Sequence, residues 1–167
     1  MPDVMIDLET ASTRFDAVIL SIGAVAFDRS SESFLDSFYC TISAESQPDR
    51  NISHSTFSWW LSQSKEAQEA LMSERIQLPK ALKDLRAFIL KHNPESIWAK
   101  DPDFDLRILS HAYGDNPPWR YWQTRSVRTI QDVFDVPNPE YTAHNALVDA
   151  QMQAAAVQEG YRRLNSR

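Results

Sequence analysis

The sequence lacks the features of a membrane-spanning or disulfide-bonded protein. No apolar run approaches the roughly 20 residues that a bilayer-spanning helix needs, and the start MPDVMIDLET has neither the basic region nor the apolar segment of a signal peptide. We therefore expect a cytoplasmic protein with no membrane partner. The one cysteine, Cys40, excludes an internal disulfide and argues against a cysteine-based metal site, so we interpret it as a small buried hydrophobic residue.

Positive charge is also scarce. The chain has 17 Lys and Arg residues against 23 Asp and Glu residues, which gives a formal net charge of −6. This balance argues against a nonspecific nucleic-acid coat and leaves only a local basic patch. Two bound divalent cations would offset four of these charges, so part of the acidity is explained if the chain holds a metal site.

The apolar segments predict an α/β fold. The 167 residues, 43% of them hydrophobic, suffice for one domain over residues 1–167. Strands are predicted at 4–12, 17–27, 33–42, 96–99 and 126–130, the first three forming a meander. Because helical patterns alternate with the later strands, we expect a mixed five-stranded sheet, an antiparallel meander plus parallel strands, flanked by helices.

The helical patterns begin at recognisable capping residues. Ser55 is predicted as the N-cap of a first short helix and Ser64 as the start of a second, and a longer helix follows Pro79. Another helix begins after Phe104 and closes at Gly114. Two further helices are predicted. A brief one begins at a capping box of Thr129 with Asp132, and the long last helix begins at Asn145.

Two carboxylates interrupt the apolar first strand. Asp7 and Glu9 are two residues apart, so both side chains project from the same face, roughly 7 Å from each other. An unpaired buried carboxylate costs several kcal/mol, so a positive partner is required. That partner is either a shared metal ion or a side chain such as Arg14.

A histidine and an aspartate stand five residues apart near the C-terminus. On a continuous helix His144 and Asp149 would point about 140° apart. If Asn145 is the N-cap, His144 lies in the preceding loop and can turn toward the helix face that carries Asp149.

Three aspartates precede the middle helix in the segment WAKDPDFDLRIL. Asp is common in loops and first helical turns, so we expect at most one of the three to take part in catalysis. Asp105 is favoured because it follows Phe104 and opens the apolar helical pattern. Asp103 is the alternative.

These residues together resemble the DEDDh exonucleases of the ribonuclease H-like fold. The resemblance rests on Asp7-x-Glu9 in a first strand, the Phe104-Asp105 pair opening a middle helix, and His144-x4-Asp149 at the last helix. The segments STFSWWLSQSKEAQ, RYWQTRSVRTI and HNALVDAQ also resemble the exonuclease A family of T-even phages and its bacterial and prophage relatives. The resemblance covers most of the chain in order.

The resemblance implies a two-metal hydrolase. Asp7 would bridge two Mg²⁺ or Mn²⁺ ions, Glu9 and Asp149 would hold the ion that carries the attacking water, and Asp105 would support the second ion. His144 would act as the general base on the water, a role that imidazole groups commonly take near neutral pH. The reaction would release nucleoside 5′-monophosphates from the 3′ end of a nucleic acid.

Substrate contacts are predicted in two regions. The loop NPPWRYWQTR interleaves aromatic rings with cations, a composition suited to stacking bases and neutralising phosphates, although buried anchoring aromatics are an equally good interpretation. Of the adjacent Trp59 and Trp60, we expect one in the core and one at the substrate cleft. The predicted substrate-binding residues are Thr10, Trp60, Trp122, Arg125 and Arg128.

The sequence thus predicts a metal-dependent 3′-5′ exonuclease, with two alternatives. One is a noncatalytic module of the same fold that binds nucleic acid or a partner, although all five catalytic positions are occupied. The other is a phosphatase acting on small phosphate esters. The choice between DNA and RNA, and between single strands and duplex ends, stays open because it depends on contacts in the cleft. A homodimer is also left open.

Overall fold

Six strands form one mixed sheet in the computed structural model, which describes residues 1–138 and 144–166. The spatial order is β4-β3-β2-β1-β5-β6. The strands are β1 (Asp3–Thr10), β2 (Ile19–Phe27), β3 (Phe34–Ile42), β4 (Arg75–Ile76), β5 (Ile97–Ala99) and β6 (Thr124–Ser126).

The strand directions confirm the predicted mixed sheet. β1, β2 and β3 pair antiparallel as a meander, whereas β5 is parallel to β1 and β6 is parallel to β5. The prediction of five strands was one short, because β4 also pairs with β3 in parallel. β4 has only two residues, too few to show an alternating pattern in the sequence.

The predicted strand over 126–130 was wrong in most of its length. β6 ends at Ser126, and helix α5 (Val127–Phe134) begins at the next residue. The β-branched residues suggested a strand, but Val127 and Ile130 are three apart and both pack against the core from one helical face. The predicted capping box of Thr129 with Asp132 therefore lies inside the helix, not at its start.

The other helices agree with the predicted segments. Ser53, not Ser55, is the N-cap of the first helix, since its hydroxyl accepts a hydrogen bond from the Thr56 N–H. Both serines are suitable caps, so the spacing of apolar residues could not choose between them. Ser64 caps the second helix as predicted. The helices are α1 (His54–Leu61), α2 (Lys65–Ala70), α3 (Leu78–His92), α4 (Asp105–Ala112) and α6 (Ala146–Asn165).

Two apolar layers cover the two faces of the sheet. On one side, alternate β1 residues such as Val4 and Ile6 pack in a core cluster with residues of α3 and α4. On the other side, Met5 belongs to a cluster with Ala150, Ala154 and other residues of α5 and α6. Asp7 and Glu9 continue the Met5 side of β1, so they face the layer that contains α6.

A glycine allows α6 to begin close to the sheet. Gly23 of β2 pairs with Asp7 of β1, and a Cβ atom at Gly23 would lie 2.2 Å from the backbone carbonyl of Ala146. Any side chain there would push the first turn of α6 away from the strand that carries Asp7.

No helix in the described ranges is both long enough and apolar enough to cross a membrane.

Candidate active site

Four acidic side chains come together where β1 ends. Asp7 and Glu9 lie in the second half of β1, Asp105 is the first residue of α4, and Asp149 lies in the first turn of α6. Glu9, Asp105 and Asp149 are buried, and Asp7 is partly exposed. The Leu8 N–H donates a hydrogen bond of 3.1 Å to Oδ1 of Asp105, which ties α4 to β1.

The N-terminus of α6 turns His144 toward this group. Asn145 is the N-cap, as predicted, and its side chain accepts hydrogen bonds from two backbone N–H groups of the first turn. His144 precedes it with a φ of 49°, a left-handed conformation that few residues other than glycine adopt. One ligand atom from each of Glu9, His144 and Asp149 lies within 4.8 Å of the other two.

Two tryptophans pack against the imidazole of His144. The Trp59 and Trp60 rings meet it edge to face, with centroids 4.8 Å and 6.4 Å away. Trp60 is buried and donates its indole N–H to the carbonyl of Thr10, whereas Trp59 is 41% exposed. One ring of the pair is therefore buried and the other partly exposed, but both line the same cavity, and a contact of either with substrate stays a prediction. Helix α1 thus packs two aromatic rings against the imidazole of His144.

The carboxyl groups of Asp7, Glu9 and Asp105 have raised pKa values. Burial, aided by the neighbouring Asp149 and Asp105, raises the pKa of Glu9 to about 8. Burial likewise raises the pKa of Asp105 to about 7, although backbone hydrogen bonds oppose this. The pKa of Asp7 is also raised, first by desolvation and then by Asp105 and Glu9. At neutral pH the cluster therefore needs positive charge to be fully ionised.

Ion pairs within residues 1–138 and 144–166 do not supply that charge to Asp7, Glu9 or Asp105. Among them, no Lys or Arg forms an ion pair with Asp7, Glu9 or Asp105, and Arg14 pairs with Asp16 instead. Carboxylate oxygens are the ligands that Mg²⁺ and Mn²⁺ prefer. The donor set therefore fits hard divalent cations.

Asp105, and not Asp103, belongs to the cluster. Asp105 is 4% exposed and interacts electrostatically with Asp7 and Glu9. Asp103 is exposed and lines a separate groove on the outer side of α4. The difference arises because Asp105 begins the helix that packs on β1, while Asp103 precedes it in the loop.

Sequence reasoning missed one side chain of the cluster, Gln153. Its amide donates a hydrogen bond of 2.6 Å to Oδ1 of Asp7. Gln153 lies one helical turn after Asp149, so both side chains project from the same face of α6. That spacing was the available signal, although glutamine is too common in helices for it to have stood out.

A cavity of about 370 Å³ opens beside Glu9. Its rim combines hydroxyl groups with aromatic rings, and it includes two residues predicted to contact substrate, Thr10 and Trp60. Trp59, which was not among the predicted substrate residues, also faces it. The other lining residues are Leu8, Glu9, Thr13, Ser55, Thr56 and Phe104.

The remaining predicted substrate residues lie apart from this cavity. Trp122 is 61% exposed and lines a groove of about 510 Å³ with Asp103, whereas Trp119 is the buried aromatic anchor of the loop. The guanidinium of Arg125 donates to two backbone carbonyls, and Arg128 lies 3.8 Å from Asp101. The structure thus brings Thr10 and Trp60 to the carboxylates, but not Trp122.

This fold and this grouping of acids around a histidine are those of a DEDDh 3′-5′ exonuclease of the ribonuclease H-like superfamily. The chain belongs to the family described as the 3′-5′ exoribonuclease Rv2179c-like domain, which matches residues 2–161. It is therefore an exonuclease that acts on nucleic acids, and nothing supports the alternative of a noncatalytic module. The predicted family and fold are confirmed.

Individual relatives agree with this assignment. An exodeoxyribonuclease of Enterobacteria phage T4 is 23% identical over 89% of this chain and 84% of its own length. The nuclease domain of 3′hExo, a DEDDh member bound to rAMP, superposes with a TM-score of 0.65 at 11% identity, over 96% of this chain and 92% of that one.

Larger nucleases share the same fold over part of their length. Exonuclease I of E. coli, solved with single-stranded DNA and zinc, has a TM-score of 0.67 at 12% identity over 99% of this chain. The chain spans 42% of that protein and 60% of a full-length 3′-exonuclease that also has this fold.

Proposed function

We propose that this exonuclease uses two Mg²⁺ or Mn²⁺ ions, held by Asp7, Glu9, Asp105 and Asp149, to hydrolyse RNA from its 3′ end. One observation carries the proposal: Asp7, Glu9 and Asp105 converge on one site with raised pKa values, and no Lys or Arg in the described residues forms an ion pair with any of the three. Bound divalent cations supply positive charge that neutralises these carboxylates and the charge developing on the scissile phosphodiester.

The protein side chains have separate tasks in this proposal. His144 is proposed to accept the proton of the attacking water at an imidazole nitrogen, which is supported by the position of a ring nitrogen within 4.8 Å of carboxylate oxygens of Glu9 and Asp149. Trp59 and Trp60 fix the ring by edge-to-face packing. The Leu8 N–H keeps Asp105 turned toward the end of β1. Each cycle then releases one nucleoside 5′-monophosphate.

The cavity beside Glu9 is proposed to take the terminal nucleoside. Its volume of about 370 Å³ lies within the usual range for small-molecule sites, and its aromatic wall suits stacking of a base. Trp122, Arg125 and Arg128 are proposed to contact the strand farther from the scissile bond.

RNA is the proposed substrate for two reasons. The family carries the description of an exoribonuclease domain and matches nearly the whole chain. The rim of the cavity also contains Thr10, Thr13 and Thr56, whose hydroxyl groups are of a type that hydrogen-bonds a ribose 2′-hydroxyl. DNA is the second candidate, because the phage T4 relative is an exodeoxyribonuclease.

Digestion of end-labelled substrates tests the proposal. Two aspartates, which have the same side chain but different positions, provide a matched pair of variants. Single-stranded RNA, single-stranded DNA and recessed duplex DNA, each labelled at the 5′ end, are incubated with Mg²⁺, Mn²⁺ or EDTA and resolved on gels. We expect RNA to shorten from its 3′ end with either ion and not with EDTA. Asp105→Asn should lower the rate by about 100-fold or more, while Asp103→Asn should retain it.

Four outcomes would contradict specific parts of the proposal. Shortening in EDTA would remove the metal mechanism, and faster digestion of DNA would reverse the substrate assignment. Loss of activity in Asp103→Asn with retention in Asp105→Asn would exchange the roles of the two acids. A mononucleotide ester turned over faster than any oligomer would favour the phosphatase alternative.

Two further expectations concern the whole molecule. We propose that residues 1–167 form one exonuclease domain, since a single sheet runs through the described residues. A homodimer stays a prediction that sedimentation velocity can test.

A further inference from the structure

Helix α6 carries two buried glutamines whose partners differ. Gln158 is 7% exposed, and its amide donates to the backbone carbonyls of Asp28 and Ser33, at the turn between β2 and β3. Gln153 is 8% exposed, and its amide donates to the Asp7 carboxylate. One glutamine therefore fastens the helix to backbone, while the other holds a side chain of the proposed metal site.

The orientation of the Gln153 amide is determined by its partner. The NH₂ group of Gln153 faces Asp7, which is the orientation required by an ionised carboxylate holding cations, because such a carboxylate only accepts hydrogen bonds. Its carbonyl Oε1 is consequently left buried, with no hydrogen-bond partner in the described structure. A buried unpaired acceptor costs about 1–3 kcal/mol, so an apolar residue would serve stability better at this position.

The surroundings of Gln153 are polar on the side of the active site. It lines a cavity of about 100 Å³ together with Asp7, Asp149 and Lys100. Asp149 lies one helical turn before it, so α6 supplies one acid of the cluster and the residue that holds another.

We propose that Gln153 is a positioning residue that holds Oδ1 of Asp7 and thereby presents the carboxylate to the metal ions. The inference rests on the proposed function, because it concerns the same metal site. A carboxylate has about four lone-pair directions, so Asp7 can accept the amide and still bind cations. Groups that orient metal ligands in this way typically contribute 10- to 100-fold to metal affinity.

Direct Mn²⁺ titration of matched variants tests the inference. Methionine has nearly the shape of glutamine and no donor, so Gln153→Met removes the hydrogen bond with little change in packing. We expect it to weaken Mn²⁺ binding about 10-fold or more, measured by calorimetry and by the loss of the free Mn²⁺ electron paramagnetic resonance signal. Gln158→Met is the control: it should lower the melting temperature and leave Mn²⁺ affinity unchanged.

A second variant keeps the inference testable if the Gln153→Met protein does not fold. Gln153→Asn keeps the amide but is shorter by one carbon–carbon bond of about 1.5 Å, so its NH₂ group no longer reaches Asp7. Gln153→Asn should also weaken Mn²⁺ binding. If Gln153 had only a structural polar role, this variant would leave the Mn²⁺ affinity unchanged.

The outcomes separate this inference from the proposed function. If the unaltered protein binds Mn²⁺ and both Gln153 variants bind it equally well, the positioning role is overturned and the metal site stands. An equal loss of Mn²⁺ affinity in Gln158→Met would likewise overturn it, because the effect would then be general. Absence of Mn²⁺ binding in the unaltered protein would overturn the metal mechanism and the inference together.

Discussion

Acidic side chains lie at both ends of one face of β1, and the residues that neutralise them differ between the two ends. Asp3, at the first residue of the strand, is fully buried and accepts two hydrogen bonds from the Arg29 guanidinium, at 2.8 Å and 2.6 Å. The Trp98 indole N–H and a backbone N–H also donate to it. This carboxylate is completely satisfied by the protein.

At the other end of the strand, no ion pair joins Asp7 or Glu9 to a described residue. The Gln153 amide donates to Asp7, but within the described residues no arginine or lysine forms an ion pair with either acid. Burial and mutual repulsion raise the pKa values of both. The comparison teaches that a buried acid becomes informative about function when its neighbours fail to neutralise it.

The largest expected effect comes from removing one charge at the unsatisfied end. Asp7→Asn keeps the size of the side chain and can still accept the Gln153 hydrogen bond, but it loses a metal ligand. We expect nuclease activity to fall on the order of 1,000-fold or more. In EDTA the melting temperature should rise, because one member of a repelling group is gone.

Nuclease activity and the melting temperature in EDTA together test whether the two ends of β1 differ in this way. Activity within a fewfold of the unaltered protein would show that Asp7 is not a metal ligand. A fall of the melting temperature in EDTA would show that its charge is already neutralised by the protein, as that of Asp3 is.

The next effect is a dependence of stability on pH. The pKa values of Glu9 and Asp105 in the folded protein are about 8 and about 7, above those of exposed carboxyls near 4. The folded state thus binds more protons, and this contribution to stability, complete below pH 4, is lost as pH rises through 7 to 8. Without metal, the free energy of unfolding should therefore fall by several kcal/mol between about pH 4 and about pH 8.

Denaturant titrations at several pH values, with EDTA or Mg²⁺, measure this effect. Mg²⁺ should restore more stability at pH 8 than at pH 6, since ionised carboxylates bind it better. A metal-free stability that stays flat from pH 5 to pH 8.5 would contradict the raised pKa values.

The smallest effect is expected at the satisfied end of the strand. Asp3→Asn leaves Arg29 without its charge partner and should cost about 2–3 kcal/mol, below the usual range for buried pairs because the Arg29 side chain is 21% exposed. The melting temperature should drop by roughly 5–10 °C, while activity per folded molecule stays the same. If the Asp3→Asn protein were fully folded but had lost its metal-dependent activity, the two ends of β1 would be coupled, contrary to the comparison.

Sequence patterns were sufficient for features that depend on neighbours along the chain. Alternation in β1 placed Asp7 and Glu9 on one face, and the capping preference of Asn145 located the start of α6. Each of these is a repeat or an end signal within a few residues. The same kind of signal failed where two local choices were equally good, as with Ser53 and Ser55, or where β-branched residues such as Val127 occurred in a helix.

The sequence by itself therefore determined the class of fold and the set of acids available for chemistry. Only the tertiary structure decided that Asp105 joins them and Asp103 does not, that Trp59 and Trp60 hold His144, and that Gln153 holds Asp7. The physical reason is that periodicity specifies which way a side chain leaves its own element. Which side chain it meets depends on how distant elements pack, as when Gly23 lets α6 approach β2.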